Sequence, residues 1–280
     1  MRFTKMHGLG NDFLVVDERT HSGHNWPELA RRLCDRRRGV GADGILLIGE
    51  ASSGGLRMRL FNADGSEAEN CGNGVRCVAL LAARQGLAGP RVTWETGAGP
   101  VVTLVREDGM VTVDMGSPRF APAEIPVAVQ GVDALDVDLE LPGAVVRASC
   151  VGMGNPHCVV QVDDVEQAPV GEWGPLIEHH RLFPARTNIE FVSVQSPRHV
   201  LQRTFERGVG ETDACGTGAC ATVVALRRRG LVETAADVTL RGGTLHIEWP
   251  DGGSVLMTGP AEAVYEGEVA VDSGAEAASA

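Results

Sequence analysis

FNADGSEAENCGNGVRCVALLAARQGL, residues 61–87, returns as FERGVGETDACGTGACATVVALRRRGL, residues 205–231. Phe61/Phe205, Glu67/Glu211, Cys71/Cys215, Gly72/Gly216, Gly74/Gly218, Arg84/Arg228, Gly86/Gly230 and Leu87/Leu231 stand in register, without a gap, at an offset of 144 residues. The same offset superposes Gly8/Gly152, Gly10/Gly154, Asn11/Asn155, Val15/Val159 and Val16/Val160, joining MHGLGNDFLVV to CVGMGNPHCVV. Solenoid units repeat every 20 to 50 residues or so, and this period is far longer. It reads as a duplicated domain whose halves are related by a pseudo-twofold axis. Each copy centres on Cys-Gly-x-Gly, so two equivalent cysteines are expected to approach one cleft from opposite sides.

The chain of 280 residues, 43% hydrophobic, is long enough for two domains with separate cores. Its net charge of −12 argues against a nucleic-acid partner, which needs clustered Lys and Arg to displace counterions. The only basic runs, 36–38 and 227–229, are three residues long and read as solvated helix ends. No apolar stretch approaches the roughly 20 residues of a membrane span, and MRFTKMHGLGND lacks the apolar core of a signal peptide. A cytosolic protein is expected. Seven cysteines, an odd number in a chain this long, do not read as a disulfide framework, so reduced thiols are the default.

Each half is expected to open with a short strand, 13–17 in the first and 158–162 in the second. A helix of about 11 residues follows in the first half, capped by Asn25 with Pro27 in its first turn and stopped by Gly39. In the second half Pro175 is expected to open a shorter helix that ends before Pro184. Segments 45–48, 56–61, 189–194 and 200–205 read as strands from their β-branched and aliphatic content. Each Cys-Gly-x-Gly turn then opens the longest helix of its half, 75–85 and 219–229, stopped by Gly86 and Gly230. Both helices are apolar around much of their girth, which predicts wrapping by the sheet of the same domain.

A hairpin follows each of these helices, 91–115 turning at Asp108-Gly109 and 238–257 turning at Asp251-Gly252. The proline-rich segment 117–126 reads as the interdomain connection, and the last residues, GAEAASA, are expected to fray. Domains of 1–117 and 118–261 result. The fold class is α/β (α+β), two pseudo-symmetric domains from internal duplication.

A thiol serves as a base only as thiolate, and a helix N-terminus with free N–H groups stabilises that anion. Cys71 and Cys215 hold this position twice. The glycines beside them let the backbone approach a ligand, and the N–H groups of Gly72, Asn73, Gly216 and Thr217 could hold a carboxylate. A carbon flanked by carboxylate and amine is inverted when one group removes its proton and a second delivers a proton from the opposite face. Two identical groups can exchange these roles, running the reaction in both directions with coupled titration. Cys34, Cys77, Cys150, Cys158 and Cys220 lack a repeat partner and read as small buried apolar residues.

ENCGNGVRC and ETDACGTGACA, with HGLGNDF, FNADGSEAE, GNPH, TNIEFV and RTFERGVGET, resemble the signature segments of the diaminopimelate epimerase family, in order and in both halves. The resemblance implies two similar α/β domains, each a curled sheet around a central helix. It also implies a cofactor-independent, metal-free two-base reaction that interconverts LL- and meso-diaminopimelate on the way to lysine and peptidoglycan precursors. Carried onto this chain, Cys71 and Cys215 are the acid/base pair, Asn11, Asn62, Asn155, Asn188, Glu206 and Arg207 bind substrate, and Gly72, Asn73, Gly216 and Thr217 supply backbone donors. Glu206 suits an ammonium and Arg207 a carboxylate at the non-reacting end of the substrate. His157 matches a histidine near the reacting centre, with a hydrogen-bonding support role set against a purely structural one. Glu67 and Glu211 are expected to cap their helices. The family further implies a homodimer and a last strand, within 262–275, that returns to the first domain. Gly44 departs from the pattern, which often has Gln there. GVGADG, residues 39–44, fits Gly-x-Gly-x-x-Gly but precedes a strand rather than linking strand to helix, so a dinucleotide site fails on context.

Three other readings remain in view. Proline or hydroxyproline racemases share the two-cysteine architecture, but their substrates would leave Glu206, Arg207, Asn188 and Asn62 without a task. A zinc or redox protein meets the objection that Cys71/Cys77 and Cys215/Cys220 lack the two-residue spacing of common zinc knuckles. A noncatalytic amino-acid binder would keep its affinity without the cysteines.

Overall fold

The structure is a computed structural model, described for residues 1–21, 23–52, 54–69 and 71–271. It divides into two compact units, one formed by Met1–Val113 with the chain from Gly259 on, the other by Asp114–Thr258. The first unit runs β1 (Arg2–Gly8), β2 (Asn11–Asp17), α1 (Trp26–Leu33), β3 (Gly44–Glu50), β4 (Leu56–Asn62), β5 (Glu67–Ala68), α2 (Gly72–Arg84), β6 (Arg91–Thr96), β7 (Gly99–Val105) and β8 (Val111–Asp114). The second runs β9 (Val137–Leu141), β10 (Ala144–Gly152), β11 (Pro156–Gln161), α3 (Val170–Glu178), β12 (Asn188–Ser196), β13 (His199–Glu206), β14 (Gly210–Thr212), α4 (Gly216–Arg228), β15 (Ala235–Leu240), β16 (Gly243–Glu248) and β17 (Leu256–Gly259). The last strand, β18 (Glu262–Glu268), pairs antiparallel with β1 from Arg2↔Glu268 to His7↔Glu262. The sequence-predicted extension of this strand past 271, and the fraying segment GAEAASA, lie outside the described residues.

Within each unit the pairing follows one plan. β2 and β3 run parallel, β3 and β4 antiparallel, and β4 and β6 parallel. β11 and β12, β12 and β13, and β13 and β15 repeat that order. Both faces of these mixed sheets are covered, so strands such as β3 are buried along almost their whole length rather than at alternate residues. In the first unit Leu14, Val16, Ile45, Leu47 and Phe61 pack with Trp26, Leu29, Ala30 and Leu33 of α1. In the second, Cys158, Val160, Ile189 and Phe191 pack with Val170 and Ile177 of α3. The opposite faces wrap α2 and α4, whose residues Asn73–Ala82 and Gly218–Leu226 are all buried.

Both central helices begin just after the cysteine and end as their composition requires. Gly86 and Gly230 take positive φ, 68° and 73°, and the N–H of the next leucine reaches back to the Ala82 and Leu226 carbonyls, 2.9 Å in each case. The earlier helices differ from expectation. α1 has its Asn25 cap, which accepts from the Glu28 N–H at 3.3 Å, but stops at Leu33 rather than Gly39. There the Asp35 carboxylate accepts the N–H groups of Arg37 and Arg38, both at 2.8 Å, and starts a separate turn. α3 begins at Val170, with Pro175 inside it, because the apolar face of Val170, Gly174 and Ile177 outweighs the one N–H that proline lacks.

Each supposed hairpin is a three-strand meander, with an additional turn at Gly97-Ala98 and at Arg241-Gly242. Segment 117–126 is no free linker. The Arg119 N–H donates to the Gly152 carbonyl at 2.8 Å, and Ile125 lies in the core of the second unit. The basic runs are engaged more than solvated ends would be: Arg36 pairs with Asp12 and Asp43, Arg227 lies over Trp249, and Arg228 lies over Phe120. All seven cysteines are free thiols, and the five without repeat partners are buried. No helix among the described residues is long and apolar enough to cross a membrane.

Candidate active site

Cys71 and Cys215 are the N-cap residues of α2 and α4, both in extended backbone, φ −152° and −125°. The first turn of a helix leaves its leading N–H groups without intrahelical partners, so each sulfur sits beside a set of donors. At Cys71 this is realised directly, for Gly74 N–H points at Sγ from 3.4 Å. Around it Asn11 Oδ1 stands 3.7 Å from Sγ and accepts from Asn73 Nδ2 at 3.3 Å. Asn62 Nδ2 donates to Ser66 Oγ at 3.0 Å. Gly44 lies opposite Asn62 in the β3–β4 register, and a Cβ there would stand 2.7 Å from the Phe61 carbonyl oxygen, so a side chain at this position would require the backbone to shift.

Asn11 is held from behind. Its Nδ2 donates to Asp43 Oδ2 at 2.8 Å, and Asp43 belongs to a network with Arg36, Asp12 and Lys5, whose Nζ also donates to the Gly41 carbonyl. Burial pushes the Asp12 carboxyl up, but the Arg36 guanidinium and the Lys5 ammonium outweigh it and hold the group down at about 2. A depressed carboxyl adds stability that is complete above its unfolded value of about 4 and lost as pH falls toward 2. Asp12→Asn is expected to cost about 3 kcal/mol at neutral pH, because Lys5 loses its buried partner, and to flatten the loss of stability between those two values. Urea unfolding across that range checks this; identical acid slopes in the two proteins would remove Asp12 from the account.

The second unit builds a more charged site. Cys215 Sγ lies 3.6 Å from Thr217 Oγ1, and Asn155 Nδ2 donates to the same hydroxyl at 3.5 Å. His157, wholly buried, meets Asn155 Oδ1 through Nε2 at 2.8 Å and Glu190 Oε1 through Nδ1 at 2.7 Å. Glu206 accepts from Thr212 Oγ1 at 2.6 Å. The Asn188 amide is spent on backbone, donating to the Pro156 carbonyl at 2.9 Å and accepting from Arg207 N–H at 3.0 Å, so it shapes the loop that presents Arg207. The Arg207 side chain is exposed and donates to the Ala185 carbonyl at 3.1 Å.

The two sulfurs are not in like surroundings. Burial, reinforced by the Glu206 and Glu190 carboxylates, pushes the Cys215 thiol well above its ordinary value, and the Thr217 hydroxyl and Gly218 N–H offset this only in part. The expectation that a helix N-terminus favours thiolate is therefore overruled at Cys215 by two nearby acids and the loss of water. Burial likewise pushes the Glu206 carboxyl up, against the Thr212 hydrogen bond.

Glu67 and Glu211 do not cap helices. Each makes a two-pronged ion pair with an arginine of the adjoining strand, Arg59 at 2.7 and 3.0 Å and Arg203 at 2.7 and 3.1 Å. The capping position belongs to the cysteines, so these acids instead pin β5 and β14 ahead of the two turns. Arg59 and Arg203 also lie 144 residues apart, a signal the repeat held. Glu190, Asp43 and Lys5 escaped the sequence reading altogether. Among the described residues no group of three or more His, Cys, Asp or Glu side chains could hold a metal ion.

A family profile described as "Diaminopimelate epimerase" matches residues 3–121 and 149–264. The chain is 50% identical over 278 residues to a diaminopimelate epimerase of Neisseria meningitidis serogroup A, covering 96% of this chain and 98% of that one. A diaminopimelate epimerase of Leptospira biflexa is 46% identical over 279 residues, covering 97% and 99%. Among solved structures, a phenazine biosynthesis protein of the PhzF family from Bacillus anthracis superposes with a TM-score of 0.69 at 17% identity, covering 97% of this chain and 100% of that one. A hydroxyproline epimerase from Agrobacterium vitis superposes with a TM-score of 0.66 at 18% identity, covering 95% and 91%. At those identities the likeness concerns the fold.

Proposed function

The chain belongs to the diaminopimelate epimerase family, and we infer that it interconverts LL- and meso-diaminopimelate by inverting one α-carbon. The observation that carries a two-cysteine mechanism is the recurrence of a cysteine as helix N-cap at equivalent points of both units. One thiolate takes the α-proton, forming an S–H bond as the C–H bond breaks. The electron pair spreads into the adjacent carboxylate, where the N–H groups of Gly72, Asn73, Gly216 and Thr217 stabilise the added charge. The other thiol then protonates the carbon from the opposite face and is left as thiolate, ready for the reverse reaction.

Glu206 receives an ammonium of the substrate, whose positive charge favours the carboxylate that burial disfavours. Arg207 takes the distal carboxylate, which suits its exposed guanidinium. Asn11, Asn62 and Asn155 add donors and acceptors without net charge, and Asn188 serves through the loop it braces. His157 supports the site through Asn155, to which its Nε2 is bonded.

With a net charge of −12, the chain is assigned no nucleic-acid partner. We place its action in the cytosol, as a homodimer, within lysine and peptidoglycan precursor synthesis; sedimentation equilibrium tests the dimer. Incubation with LL-diaminopimelate and, separately, with L-proline in heavy water tests the substrate. Deuterium is expected at the α-carbon of diaminopimelate and not in proline, whereas labelling of proline alone would overturn the assignment.

A further inference from the structure

At the repeat offset, His157 and Glu190 of the second unit occupy the places of Phe13 and Leu46 in the first. Leu46 and Glu190 both lie beneath the first turn of their central helix. A Cβ on Gly74 would stand 3.0 Å from Leu46 Cδ2, and one on Gly218 would stand 2.6 Å from Glu190 Oε1. The first unit thus places an apolar side chain beneath Gly74, while the second places a carboxylate oxygen beneath Gly218, in contact with the helix backbone. The same Gly218 position is 3.2 Å from Cys215 Sγ, which brings sulfur and carboxylate within about 6 Å of each other, inside the range where a like charge disfavours ionisation. Glu190 is wholly buried, and its Oε2 has no hydrogen-bond partner among the described residues.

We propose that Glu190 is a positioning residue that makes the two halves of the site unequal, keeping Cys215 in the thiol form in the free protein, whereas the first unit carries Leu46 in place of that acid. The inference rests on the two-cysteine reading of the mechanism. A helix N-terminus offers the equivalent of about half a positive charge to an anion, and at α4 the Glu190 carboxylate already occupies it. The duplicated chain thereby holds one of its two sulfurs, Cys215, ready to donate a proton. The groups facing Glu190 are His157 and Cys158 from β11, Glu206 from β13 and Cys215 from α4. His157 is the only one of these able to carry positive charge, and it works in the opposite sense.

NMR-monitored titration of cysteine Cβ resonances, assigned with Cys71→Ser and Cys215→Ser proteins, reads this without turnover. In the unaltered protein Cys215 is expected to ionise at higher pH than Cys71. In Glu190→Gln the Cys215 midpoint is expected to fall by about one pH unit or more, with Cys71 unmoved. Coincident midpoints in the unaltered protein, or a Cys215 midpoint insensitive to Glu190→Gln, would overturn the proposal, and the first comparison stands even where the variant fails to fold. Failure of the two-cysteine mechanism itself would show separately, as full turnover by a protein lacking either thiol.

Discussion

Cys215→Ala is expected to lose at least a thousandfold in epimerisation, and Cys71→Ala the same, since a positioned proton carrier contributes about a hundred- to ten-thousandfold and each face of the carbon depends on its own. The losses should not add: the double variant is expected to be about as slow as either single one, because inversion fails at whichever step lacks its carrier. Neither change should unfold the protein. Cys71 is half-buried and Cys215 nearly wholly buried, and each ends in a single sulfur beside a helix start whose stability rests on buried residues further along. Circular dichroism matched to the parent, together with turnover of LL- and meso-diaminopimelate, separates loss of chemistry from loss of fold. Parent-like turnover in either single variant would end the two-base reading.

Arg76→Ala is expected to cost about 3 to 5 kcal/mol of stability. Arg76 is one of the largest wholly buried side chains, and it ties three places together. Its Nε donates to the Pro260 carbonyl at 3.0 Å, Nη1 to the Gly72 carbonyl at 3.3 Å and Nη2 to Asn73 Oδ1 at 3.0 Å. Truncation leaves those acceptors buried without this donor and opens a cavity beneath β1. Lysine at this position keeps the charge but not the planar fork, so Arg76→Lys should recover only part of the loss. Because Asn73 is the link from Arg76 to Asn11, the alanine variant should also raise KM for diaminopimelate. Denaturant midpoints give the first effect and steady-state kinetics the second; a loss below about 1 kcal/mol would remove Arg76 from the framework.

Much of this was written in the chain. The Gly86 and Gly230 stops, the apolar girth of α2 and α4, and the cysteine caps follow from local chemistry that the repeat states twice. What stayed hidden is mostly non-local. β1 carries Thr4 and Lys5, both buried, and nothing in its pattern announces that Asp12 and the Gly41 carbonyl, 36 residues away in the latter case, would satisfy the lysine. The turn at Gly97-Ala98 interrupts a β-rich run that reads equally well as one long strand. Glu190 sits among Ile189 and Phe191 in a strand buried on both faces, where an acid looks like the solvent side of an alternating pattern. Only its alignment with Leu46 marks it as a difference between two copies otherwise built alike.

The pairing of β1 with β18 joins residues 2 and 268, whereas the strands from β9 to β16 find their partners among β9–β17, all within about 120 residues of one another. On the ribosome, where amino acids emerge in order, the first unit must therefore wait with an open sheet edge while the second is made and can close. Nascent chains should gain protease resistance in the later-synthesised half first, and a stall just short of Glu262 should leave the earlier half sticky and prone to capture by chaperones.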